Sequence, residues 1–137
     1  MRIRGDERGA AVVEFALVLP ILVMFIIGIV EFGRAYNARI ELTSAVREGA
    51  RTAALSVSGA CPPPTTVPAR TVQQCVTTAV QNGAPGLSAS QIVVTLPTTC
   101  PGTNATVKAT YPFSYSIPFV GSQSKTLTAT GVMQCGG

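Results

Sequence analysis

Few side chains in this sequence could do chemistry, and their spacing limits what chemistry it is. Glu14 is the only charge in the run from Gly9 to Val30, GAAVVEFALVLPILVMFIIGIV. Four cysteines, Cys61, Cys75, Cys100 and Cys135, are the other candidates. They offer no close pair such as C-x-x-C for zinc. The chain has no His, so a thiolate nucleophile would lack its usual activating base. An even count at irregular spacing reads as disulfides, and so as a periplasmic or extracellular location. Four cysteines allow three connectivities; we expect Cys61–Cys75, tying a linker to a short helix, and Cys100–Cys135, tying a strand region to the C-terminus. From Thr52 to Gly137 there is no Asp or Glu, which removes most acid–base chemistry from the tail. There is no phosphate-binding glycine loop and no G-x-S-x-G. The sequence therefore offers no catalytic residue, no metal site, no cofactor and no small-molecule substrate, and it does not read as an enzyme. Beyond Arg70 only Lys108 and Lys125 are charged and the formal net charge is +4, so there is no basic stripe for nucleic acid.

The element that must hold Glu14 is a membrane helix. At about 1.5 Å rise per residue, Ala10–Val30 spans roughly 30 Å, one hydrocarbon core. A cleaved secretory signal has a shorter apolar region and a small-residue site on its far side; here the far side reads IVEFGRAYNARIEL. A plain anchor leaves Glu14 unexplained, because an acid inside a membrane segment costs a few kcal/mol near the centre, less at the edge, and usually has a partner. The bland reading is that Glu14 sits at the headgroup level, favoured by the helix N-terminal dipole.

The residues Gly9-Ala10-Ala11-Val12-Val13-Glu14-Phe15 resemble a type IV prepilin cleavage site, where a cytoplasm-facing peptidase cuts after a glycine. The glutamate is then fifth in the mature chain and an aromatic follows it. The continuation FALVLPILVMFIIGIVEFGRAYNARIELTSAVREGAR is similar to the TadE-like proteins of the tight-adherence (Flp) pilus system. The similarity is dense from Gly9 to about Ala54 and thin in the tail, where VKATYPF and KTLTATGVM look like closing strands. Cleavage at Gly9–Ala10 would place an α-ammonium at Ala10, one turn from Glu14 on the same face. That amine, in cis or from a neighbouring subunit, would offset the carboxylate's desolvation cost. In a stack of parallel helices it would also fix axial register.

Lys and Arg counting does not orient the segment, since Arg34, Arg39, Arg47 and Arg51 follow it. The cysteines and the prepilin pattern put the N-terminus in the cytoplasm and the tail outside a single-pass inner membrane. Pro20 removes one helical hydrogen bond, and a kink is expected near Ala16–Pro20. The helical pattern continues to about Ser56, with Leu42, Val46, Ala50, Ala53 and Val57 on one face. Ala45, Gly49 and Ala53 form a small-residue row that lets another backbone come close. Glu31, Arg34, Glu41, Arg47, Glu48 and Arg51 read as a solvated surface.

Cys61-Pro62-Pro63-Pro64 ends the helix, and PPPTTVPA reads as an extended linker. A short amphipathic helix is expected over 69–82 with Gly83 as C-cap, then a strand at 91–96. Alternation from Ala105 to Ile117 predicts a second strand, with Pro112 marking an edge or bend. After a turn VGSQS, a third strand follows over 125–134. The fold class is α+β: a long transmembrane helix continuing into a small domain with a short helix and an antiparallel sheet of about three strands. The expected boundaries are a leader at 1–9, the span at 10–33, its continuation at 34–57, a linker at 58–70 and the stapled domain at 71–137.

The resemblance implies a minor pilin- or pseudopilin-like structural component, processed after Gly9 and joining other subunits through its helix. Its partners would be the inner membrane, prepilin peptidase, other pilin-like subunits and the pilus assembly machinery. The alternative is an uncleaved, membrane-anchored binding or adhesion module.

Overall fold

The structure, a computed structural model, describes residues 6–56, 71–100, 102–117 and 121–135, with side chains from Gly9 onward. In chain order these form α1 (Asp6–Leu55), α2 (Val72–Asn82), a single 3-10 turn (Ala89–Gln91), β1 (Val93–Thr98), β2 (Asn104–Ile117) and β3 (Gly121–Gln134). The architecture is α+β, as the sequence predicts.

The helix α1 starts at Asp6, inside the stretch read as leader, and is unbroken through Pro20. The proline leaves the Ala16 carbonyl without its helical donor but does not end the helix. Apolar residues favour this long element in the first half. In the second half Thr43 and Thr52 turn their hydroxyls back to the carbonyls of Arg39 (2.7 Å) and Glu48 (3.1 Å), so they compete little with the ladder. Ser56 closes the end, with its N–H on the Ala53 carbonyl and its hydroxyl on the Thr52 carbonyl.

The C-terminal half of α1 carries the core. Leu42, Ala45, Val46, Ala50 and Ala53 are buried, as their spacing predicts; Val57 lies outside the described residues. Val76 and Val80 of α2 and Ala105, Val107 and Ala109 of β2 cover them. Each fully buried Leu or Val contributes about 1.5–3 kcal/mol. The small residues set the spacing. Gly83 lies against Ala45, Gly49 faces Val80 and Val107, and Gly131 of β3 rests on the Val46 carbonyl. The close approach expected of the Ala45–Gly49–Ala53 row is thus made by the chain's own tail.

Helix α2 begins one turn later than the pattern suggested. Thr71 is its N-cap and forms a capping box with Gln74. Gly83 caps its end in a right-handed conformation. The sheet order is β1-β2-β3, antiparallel throughout. Two strand expectations need correction. β1 starts at Val93, because Ala89–Gln91 takes a 3-10 turn first. β3 starts at Gly121, so most of the expected turn is strand, entered through Gly121 at φ 93°, where glycine carries no penalty. β2 is the central strand, yet its pairing with β1 reaches only Val93↔Thr110. At Pro112 its far side is therefore an open edge, and the missing N–H breaks no central ladder.

Cys100 and Cys135 form the expected disulfide, with Cα atoms 5.8 Å apart. Cys75 is also disulfide-bonded; the expected pairing with Cys61 falls on a residue outside the described ones.

Candidate functional site

The candidate site is the N-terminal half of α1, where the helix stands alone. From Gly9 to Val30 every residue is exposed except Ile27, which is half-buried. Val12, Phe15, Leu17, Phe25 and Ile29 each leave more than 60% of their surface bare. A soluble monomer does not present an apolar surface of this extent. The helix is long and apolar enough to cross a membrane, and none of its most apolar window is covered by the rest of the chain.

The sequence-predicted residues sit together at one end of this rod. Gly9 and Ala10 lie within α1, and a Cβ built on Gly9 meets nothing within 4 Å. Glycine lowers helix stability by about 1 kcal/mol relative to alanine, so the helix is locally weakened at the Gly9–Ala10 bond. Glu14 is exposed, one turn beyond Ala10, and makes no hydrogen bond or ion pair among the described residues. Phe15 follows it, 63% exposed. Pro20 lies further along the same bare stretch. Cys100 and Cys135 lie at the opposite end of the molecule, where Cys100 Sγ approaches the Ala54 carbonyl at 3.9 Å. Among the described residues no group of His, Cys, Asp or Glu is placed to hold a metal.

Along the bare helix, Ile21, Met24, Phe25, Gly28, Ile29 and Phe32 line a shallow apolar groove floored by Gly28. Above it the rings of Phe32 and Tyr36 stack with centroids 6.5 Å apart. The apolar side of the helix thus continues beyond Val30, on the face away from the tail.

A second cluster was not legible as a unit in the sequence. Arg34, Asn37, Glu41, Gly86, Tyr111 and Phe113 surround a small cleft where α1 meets the tail. Arg34 pairs with Glu31 (3.0 Å) and lies over the Phe113 ring, 5.9 Å from its centroid. Glu41 accepts from Asn37 Nδ2 at 3.2 Å, while its Oε2 is buried and has no hydrogen-bond partner among the described residues. The carboxylate lies so close to Gly86 that a Cβ there would meet it at 2.6 Å. Glu41 stands one turn from both Ala38 and Ala45 at the rim of the buried stripe. That was the available signal that it is not simply solvated.

Residues 9–51, the greater part of α1, match the family model described as TadE-like protein. No curated protein and no solved structure matches the chain. The matched stretch holds all of the bare helix together with the part that seats the tail, and it stops short of α2 and the sheet.

Proposed function

We propose that this chain, TadE-like over residues 9–51, is a minor pilin- or pseudopilin-like component of a tight-adherence (Flp) pilus or of its assembly and secretion machinery. The coarser reading, a pilus-associated membrane component, follows from the family match and the candidate span. In the finer reading a prepilin peptidase cuts after Gly9, and the chain waits in the inner membrane with its tail outside. It then joins other subunits through α1. The observation that supports this best is a bare apolar rod with one acid, Glu14, that has no partner among the described residues and lies a single turn from the new N-terminus.

Mechanism here is polymer geometry. The ammonium at Ala10 of one subunit would meet Glu14 of its neighbour in a medium where an unpaired carboxylate is costly. Only one axial offset between parallel helices satisfies both groups, so the pair sets the register. The groove floored by Gly28 lets a second helix approach closely, as small residues do in membrane packing.

The test is Glu14→Ala in a host that makes the pilus, with the chain followed in membrane and sheared-fibre fractions. The variant should insert and be processed, yet be lost from the assembled fraction. Normal incorporation would remove the register role. Retention of Met1–Gly9 by the wild-type chain would instead favour an uncleaved anchored module.

A further inference from the structure

The β2–β3 hairpin runs back down α1 toward the membrane. Val107 faces Gly49 and Phe113 lies under Arg34. Along α1 those two helix positions are roughly 22 Å apart, and along β2 the two strand positions are roughly 20 Å apart. The strand therefore tracks the helix at nearly constant separation, pointing the opposite way. Four strand positions further on, Ile117 lies roughly 13 Å closer to the membrane than Arg34. That is the level of Phe25, roughly 7 Å and fewer than two turns inside the apolar run that ends at Val30. Exposure agrees. Ile27, Glu31 and Ala35, successive turns on the face toward the hairpin, are half-buried, while the rest of Gly9–Val30 is bare.

The chemistry of the ribbon changes with depth. Past Val93↔Thr110 it has two strands only. Lys125, opposite Phe113 in the register, lies level with Arg34. Arg34 is about 6 Å beyond Val30 along the helix, within the headgroup layer that adds roughly 5–7 Å to each side of the core. Tyr115 and the serines at 114, 116, 122 and 124 follow, and Ile117 ends the strand with 37% of its surface exposed.

Resting on the reading of Ala10–Val30 as a membrane span, we infer that the paired strand ends Phe113–Ile117 and Gly121–Lys125 make a second membrane contact. Lys125 and Arg34 lie at the lipid phosphates, Tyr115 occupies the interface where aromatic rings collect, and Ile117 reaches roughly 7 Å into the acyl chains. The tail is thereby held against the bilayer surface at a fixed angle around α1.

The chain contains no Trp, so single-tryptophan variants report position directly. The full chain would be reconstituted in phosphatidylethanolamine–phosphatidylglycerol vesicles carrying lipids brominated near the headgroup end of the acyl chain. Ile117→Trp should emit to the blue and lose intensity to the brominated lipid as Ile29→Trp does. Val132→Trp, exposed at the far end of β3, should emit as in water and lose none. Ser122→Trp, on the facing strand, repeats the measurement at a position that packs against nothing essential. Water-like, unquenched emission from both hairpin variants while Ile29→Trp is quenched would overturn the inference and leave the span intact. An unquenched Ile29→Trp would overturn the span itself, and the inference with it.

Discussion

Gly131→Ala is the substitution that most sharply tests how the tail is seated. A Cβ built on Gly131 falls 2.5 Å from the Val46 carbonyl oxygen, 2.8 Å from its carbon and 3.2 Å from the Arg47 nitrogen. All three are backbone atoms of α1, so no side-chain rotation relieves the contact. β3 would have to lift off the helix by most of an ångström, loosening the packing of Ala129 and Val107 beneath it. Overpacking of this kind costs about 1–3 kcal/mol, and the upper part of that range applies where backbone must move. The entropic gain of about 0.4–1 kcal/mol from removing a glycine offsets a fraction of it. A net loss of about 2 kcal/mol lowers the midpoint of a domain this small by roughly 8–16 °C. Gly49→Ala is the contrast. Its Cβ meets Val80 Cγ2 at 2.5 Å, a side chain on the short helix α2 that can shift, and a helix interior gains about 1 kcal/mol from the exchange. It should lose clearly less. Thermal unfolding of the full chain in detergent micelles, in a Tyr36→Phe background that leaves Tyr111 and Tyr115 as the tyrosine reporters in near-ultraviolet circular dichroism, reads the tail rather than the micelle-bound helix. An unchanged midpoint for Gly131→Ala would refute the backbone-to-backbone seating of β3 on α1.

Two further substitutions probe the tail by the same melt. The double variant Cys100→Ser/Cys135→Ser opens a loop of sequence separation 35 and should cost about 4 kcal/mol by chain entropy; a midpoint equal to the parent's would show that the bridge constrains nothing. Glu41→Gln keeps the shape and the acceptor for Asn37 but removes a charge whose Oε2 is buried without a partner. It should stabilise the tail by about 1 kcal/mol if losing the buried charge outweighs burying an amide N–H in its place, and a lower midpoint would show that the charge is not the larger cost.

The sequence carried the parts of this structure that depend on periodicity. The stripe from Leu42 to Ala53 and the alternation from Ala105 to Phe113 both point inward as read, because each is long enough for its period to stand out. Strand ends were less legible. Gly121-Ser122-Gln123-Ser124 is polar and glycine-led, the composition of a turn, yet pairing with Ser114–Ile117 carries it as strand. Pro112 was read correctly as an edge residue in a strand that is central elsewhere, since β1 is too short to reach it. The Arg34–Glu41 cleft escaped notice because its walls come from three separate elements, and only tertiary packing brings Gly86 against the carboxylate. For the candidate site, Glu14 stood out at once, as a lone charge in an apolar run does.

Glu14 in an apolar segment calls for a cationic partner, and cleavage after Gly9 would supply one as the α-ammonium of Ala10. The most direct measurement is the intact mass of the chain extracted from the membranes of a host with an active prepilin peptidase. The account predicts a chain that begins at Ala10, and a Gly9→Ala variant that keeps its leader. A wild-type chain that still carries Met1–Gly9 would contradict it.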